Sequence, residues 1–173
     1  PQLEGKSPLI PKGNNPKAAK VAKVIEKFIN QAAKVIRDEE RANYLLLRGF
    51  AVHPNLTSYK DAYGLSAACI ATYPMYRGVA KLVGMDVLEV EDMTIKSEVE
   101  TLKRDFDKYD FFYLHVKKTD SYGEDGNFGA KAGVIEEFDK LVPEITALMP
   151  DVLVVTGDHS TPAAMKSHSW HPV

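Results

Sequence analysis

The sequence predicts an α/β protein whose largely parallel sheet is flanked by helices. Two observations predict it. From about residue 60 onward, short apolar runs alternate with helical periodicities in the order β-α-β-α-β-α-β, the signature of parallel strands joined by helical crossovers. The runs at Ser66–Ala71, Tyr109–Val116 and Val152–Val155 are small, aromatic or β-branched, and the first and last read as buried strands.

In chain order, residues 1–15 form an irregular, polar lead-in with prolines at 8 and 11. Asn15-Pro16 reads as an N-cap followed by proline at the first helical position. Val21, Val24, Ile25, Phe28, Ala32, Val35 and Ile36 then recur at helical spacing, so an amphipathic helix is expected from Pro16 to Glu40, with its lysines on a solvated face. Tyr44–Leu47 reads as a short strand delivering Arg48 to a Gly49 turn. Ser66–Ala71 is the next strand and encloses Cys69, read as a small core residue. Pro74–Gly84 reads as a helix with Gly84 at its C-terminal cap and Arg77 in its first turn. Asp86–Val90 is a short strand. Ser97-Glu-Val-Glu100 has capping-box spacing and opens a helix through Phe106. Tyr109–Val116 is the strongest strand, followed by a loop over 121–127. A long helix over 129–148 follows, with Pro143 as a kink. Val152–Val155 completes the series.

Composition narrows the class. The chain has 173 residues, 45% hydrophobic and 27% charged, with a formal net charge of -2. That is ordinary for a globular protein and gives no global field toward nucleic acid or a membrane. No apolar run approaches the ~18 residues of a membrane span. A single cysteine and a polar start without a secretory signal point to the cytoplasm. The opening proline and the ending on His171-Pro-Val173 suggest a piece of a longer protein.

The chemistry concentrates near the C-terminus. The run Val152–Val155 breaks at Thr156-Gly157 and presents Asp158 and His159, with His168 and His171 soon after. Ligands in open α/β sheets bind beyond the carboxyl ends of strands, and carboxylates with imidazoles are donors for Zn, Mn and similar ions. The strand through Val116 delivers Asp120, with Glu124 and Asp125 after it. If the two strands are parallel neighbours, these acidic and imidazole groups converge, and a divalent metal pair balances them, an arrangement suited to phosphoryl transfer. The alternative is that Asp120 and Asp158 only cap helices or turns. Arg48 and Arg77 suit a phosphate or carboxylate, or are surface residues. His115 is either a core histidine, the preferred reading, or a residue behind the site. His53 reads as a loop residue, Lys117 and Lys118 as neutralisers of phosphate or ordinary surface residues, and Trp170 and His171 as lining of the cleft or loop residues. Ser160 and Thr161 offer hydroxyl nucleophiles, but their order after Asp158-His159 is no catalytic triad.

The stretches Val154-Val-Thr-Gly-Asp-His-Ser-Thr-Pro162 and Lys166-Ser-His-Ser-Trp-His-Pro-Val173 resemble the C-terminal signature of archaeal-type 2,3-bisphosphoglycerate-independent phosphoglycerate mutases, in the alkaline phosphatase superfamily. Upstream, Asn43–Gly49, Tyr63–Ala71, Tyr76–Asp86 and His115–Asp120 extend the resemblance over nearly the whole chain. It implies a truncated alkaline phosphatase-like fold. Residues 1–57 would be the C-terminal part of an inserted substrate-binding domain, and 58–173 the C-terminal half of the metal-binding domain. It implies an isomerase of glycolysis that interconverts 3- and 2-phosphoglycerate through a phosphoserine, using two divalent ions, Mn or Zn, with Mg as a third option. Asp158 and His159 would hold one ion, and Asp120 and His168 the other. Glu124 stands where the family commonly has a histidine ligand, and its oxygen shifts preference toward Mn or Mg. Arg48 and Arg77 would bind substrate, Arg77 replacing a more usual lysine. The nucleophilic serine and a further Asp ligand are expected upstream of Pro1, so the chain alone is expected to be inactive. The rival readings are another metal-dependent phosphomutase or phosphatase, and a non-catalytic metal- or phospholigand-binding module.

Overall fold

The computed structural model describes residues 7–47 and 49–172. The chain divides into two compact units, Pro1–His53 and Pro54–Val173.

The first unit is built on α1 (Pro16–Val35), and its start is the expected one. Asn15 is extended, its side chain accepts from the Ala18 N–H, and Pro16 occupies the first turn. The helix stops at Val35, short of the expected Glu40, where the backbone leaves helical geometry at Ile36. Tyr44–Leu47 does not form the expected strand, and Tyr44, Leu46 and Leu47 are exposed. A single extended run has no ladder without a neighbour, and none pairs with it among the described residues. Arg48, read as a substrate ligand, lies outside the described residues.

The second unit holds the sheet. Its elements are α2 (Tyr59–Tyr63), β1 (Ala67–Ala71), α3 (Pro74–Leu82), β2 (Asp86–Val87), α4 (Ile95–Asp105), a 3-10 turn at Phe106–Lys108, β3 (Phe111–His115), α5 (Lys118–Glu124), α6 (Phe128–Asp139) and α7 (Val142–Thr146). The sheet order is β2-β1-β3, and both pairings are parallel. The expected class, a parallel sheet flanked by helices, is therefore present.

β1 is central and fully buried, so its alternate residues feed two cores. Ile70 packs on one face with Val99, Leu102 and Ile145, bordered by Phe112, Leu114 and Phe138. Cys69 and Ala71 pack on the other with Ala80, Tyr76 and Tyr113. The small residues Ala67, Ala68, Cys69 and Ala71 let helices approach both faces. Cys69 is free and wholly buried, as the core reading required. At the start of β3, Asp110 fixes the register: its Oδ2 accepts from Ser66 N at 2.8 Å and Ser66 Oγ at 2.6 Å.

Several boundaries differ from expectation for local reasons. α4 begins two residues before Ser97, because Thr94 caps it, accepting from the Ser97 N–H at 3.1 Å. The helix expected over 129–148 is two helices. Pro143 sits in the first turn of α7, where its missing N–H costs no hydrogen bond, and the chain turns at Lys140–Leu141. α2 was not foreseen; Ser58 caps it through Asp61. The segment expected as a loop over 121–127 is largely α5.

The largest departure is Val152–Val155. The run is neither strand nor buried: its residues are 78, 43, 72 and 67% exposed. Its apolar, β-branched composition confers strand propensity, but a strand exists only on a ladder, and β3 pairs only with β1 among the described strands. We expect the amides of Val152–Val155 in this chain to exchange with deuterium at nearly unprotected rates, and those of Cys69 and Ile70 to be among the slowest. Protection of the two stretches to a similar degree would contradict the exposed placement.

Candidate metal centre

Beyond the C-terminal end of β3 the chain turns directly into α5. Asp120 lies in the first turn of α5 and Glu124 one turn later. The i,i+4 spacing puts both carboxylates on one helix face, which a loop would not have guaranteed. From the other side comes the segment Asp158–Thr161. It is folded back by an antiparallel bridge between Ser160 and Ser169, with Ser169 N donating to Ser160 O at 2.9 Å. The bridge returns His168 to His159, their rings 3.8 Å apart.

Two donor groups result. His168 Nε2 lies 3.5 Å from Asp120 Oδ1 and 3.5 Å from Glu124 Oε1. His159 Nε2 lies 3.5 Å from Asp158 Oδ2. One ligand atom each from Asp120, His159 and His168 fall within 4.8 Å of one another. Ligands held tetrahedrally at ~2.1 Å from one ion are roughly 3.4 Å apart. Oxygen and imidazole donors at these separations fit one or two divalent cations.

The surroundings fix the donors. Asp120 is only 16% exposed at its side chain. Burial alone would raise its pKa, but Lys117, ion-paired to Oδ2, and the Thr161 hydroxyl hold the carboxyl below the usual range. It is an anion at neutral pH, as a ligand must be. Thr161 is buried, and its Oγ1 lies 2.5 Å from Asp120 Oδ1 and 3.1 Å from His159 Nδ1. Its carbonyl accepts from Lys131 Nζ at 3.0 Å. Gly123 packs against it so closely that a Cβ there would come within 2.3 Å of the Thr161 oxygen. Tyr76 OH donates to Asp158 Oδ2 at 3.4 Å, and the Tyr76 ring stacks on His115 at 3.7 Å.

The structure thus brings together Asp120, Glu124, Asp158, His159 and His168. It does not join Arg77 to them through any described contact: Arg77 Nη2 pairs with Glu89 Oε1 at 2.6 Å, beside a depression of about 350 Å³ lined also by Thr72, Pro74, Gly78 and Lys81. The buried Nδ1 of His115 has no hydrogen-bond partner among the described residues, and burial lowers its pKa. His171 Nδ1 contacts Ser169 Oγ at 2.8 Å, and Trp170 is fully exposed. Thr161 and Tyr76 were missed as parts of the site.

A model of the metalloenzyme superfamily matches residues 13–173. The chain belongs to the metalloenzyme superfamily. It is 56% identical over its whole length to a protein of Aquifex aeolicus named "Probable 2,3-bisphosphoglycerate-independent phosphoglycerate mutase". It is 54% identical to one of the same name from Thermosipho melanesiensis. The chain spans only 42% and 43% of these relatives' lengths. Among solved structures, the PH0037 protein from Pyrococcus horikoshii matches 88% of this chain and 46% of its own, with TM-score 0.73 and 30% identity. The α/β fold of this metalloenzyme superfamily chain is therefore shared with a longer protein. No helix among the described residues is long and apolar enough to cross a membrane.

Proposed function

We propose that this chain is the metal-holding C-terminal portion of a cofactor-independent phosphoglycerate mutase, a cytoplasmic enzyme of glycolysis that interconverts 3- and 2-phosphoglycerate. The observation that carries the reading is the convergence of Asp120, Glu124, Asp158, His159 and His168 on one cluster beyond the C-terminal end of β3. The names of the relatives support the reaction, and the donor types support two divalent ions, Mn foremost because three of the five donors are carboxylates, with Zn or Mg as alternatives. Residues 1–57 are proposed to belong to a substrate-binding domain and 58–173 to the metal-binding one.

When bound, the ions supply positive charge that lowers a hydroxyl's pKa and stabilises the transferred phosphoryl oxygens. The chain's own residues have narrower tasks. Asp120, Glu124 and His168 would hold one cation, and Asp158 and His159 the other. Lys117, Thr161 and Tyr76 keep the carboxylates oriented. Arg48 and Arg77 bind the anionic substrate; for Arg77 this requires exchange of Glu89 for phosphate or carboxylate. The serine that accepts the phosphoryl group from one glycerate hydroxyl and returns it to the other is contributed by the longer protein.

The test uses the full-length protein with Mn²⁺ and 3-phosphoglycerate, followed by ³¹P NMR. The expected product is 2-phosphoglycerate without release of inorganic phosphate, and the 173-residue chain alone leaves the substrate unchanged. Release of phosphate in place of isomerisation would identify a phosphatase of the same chemistry and overturn the mutase reading.

A further inference from the structure

The Thr161 hydroxyl touches one member of each donor group, and its proton count dictates how. A threonine hydroxyl has one proton to donate and lone pairs to accept with. Asp120, an anion, can only accept, so the Thr161 proton points to Asp120 Oδ1 at 2.5 Å. What faces His159 Nδ1 at 3.1 Å is then a lone pair. Nδ1 must carry a hydrogen to meet it, and in the neutral ring that leaves Nε2 bare. Nε2 is the atom directed toward Asp158 Oδ2, 3.5 Å away.

We propose that Thr161 is the positioning residue of the centre: it sets the Nδ1–H tautomer of His159, exposing Nε2 as a ligand, while orienting Asp120 in the other donor group. The inference rests on the metal reading above. Hydrogen-bond partners behind metal ligands fix the tautomer and orientation of those ligands, and here one hydroxyl serves two ligands that belong to different ions. The position is built for it. Thr161 is 3% exposed, its carbonyl is held by Lys131, and its methyl lies where only the bare Cα of Gly123 leaves space, 3.0 Å from a Cβ placed there. The side chain therefore has little freedom to turn its hydroxyl elsewhere. Coupling follows: disturbing this one group weakens both donor groups together.

The experiment compares wild-type, Thr161→Val and Thr161→Ser full-length protein. Valine keeps the shape and removes the hydroxyl; serine keeps the hydroxyl. Two quantities are read. Mn²⁺ affinity is measured by calorimetric titration, and the His159 tautomer by ¹⁵N–¹H correlation NMR of the metal-free protein at one alkaline pH. Thr161→Val is expected to lose roughly 10–100-fold in Mn²⁺ affinity, spread over both binding events, and its His159 is expected to shift toward the Nε2–H form. Thr161→Ser restores both. A valine variant that binds Mn²⁺ like the wild type, or retains the Nδ1–H tautomer, overturns the inference and leaves the metal reading standing. A serine variant as impaired as valine also overturns it, since the role would then belong to packing and not to the hydroxyl. Failure of the wild type to take up Mn²⁺ overturns the metal reading itself and this inference with it.

Discussion

Asp120→Asn is expected to abolish one of two Mn²⁺-binding events in the full-length protein while leaving the fold intact. Asp120 is the convergence point of the centre: Lys117 pairs with one carboxylate oxygen, and the Thr161 hydroxyl and His168 Nε2 meet the other. Asparagine has the same size and can still accept from Thr161, so packing around α5 is retained. What disappears is the negative charge in a partly buried place. Loss of a charged ligand should cost at least the roughly 10–100-fold in metal affinity that loss of a partner behind a ligand costs. The ammonium of Lys117 would aggravate the loss, because it would then stand unneutralised beside the incoming cation. Asp125 is the control: it is exposed, one residue beyond α5, and Asp125→Asn should bind Mn²⁺ like the wild type. Far-UV circular dichroism establishes that each variant folds. An Asp120→Asn protein that still binds two Mn²⁺ ions with wild-type affinity would remove Asp120 from the ligand set and with it the two-group description of the centre.

Which parts of this were legible in the sequence follows from what each part depends on. Asn15-Pro16 and Pro74 mark helix starts through local backbone chemistry, and both starts are where the sequence puts them. The run Ala67–Ala71 is legible because a strand of small residues suits burial on two faces. Val152–Val155 has the higher strand propensity but no ladder among the described residues, and propensity alone does not supply one. The segment 121–127 reads as a loop because its serine, glycines and asparagine are poor helix formers. Gly123 is there because α5 must touch Thr161 without a side chain between them, a tertiary requirement invisible in local pattern. The carboxylates and imidazoles were legible as chemistry, since few other roles suit so many of them together. Their grouping was not, because it depends on the helical turn between Asp120 and Glu124 and on the Ser160–Ser169 bridge. Thr161 escaped because a hydroxyl beside an Asp-His pair invites a nucleophilic reading, whereas its burial and three fixed contacts make it a support.

The second expected result concerns stability and does not depend on any metal. Glu98, in the first turn of α4, is 3% exposed. Burial raises its pKa from 4.5 to about 7, against smaller opposing contributions from Thr72 and Lys118. The sign follows from proton binding. Between pH 4.5 and 7 the folded chain keeps a proton that the unfolded chain has released, so unfolding sheds protons and stability falls as pH rises through this window. Below 4.5 both states are protonated and there is no penalty; above 7 the penalty is complete, about 3 kcal/mol for a shift of this size. Glu98→Gln removes the ionisation and keeps the shape. It should therefore be nearly neutral at pH 4.5 and stabilise the unit Pro54–Val173 by about 2–3 kcal/mol at pH 8, read from urea unfolding at the two pH values. The depressed carboxylates, such as Asp120 and Asp105, act in the opposite sense, contributing stability that is lost on acidification. They are common to wild type and variant, so the difference between the two isolates Glu98. A difference that does not change with pH would mean that Glu98 is charged in the folded state throughout, and that its burial is offset by partners stronger than Thr72 and Lys118.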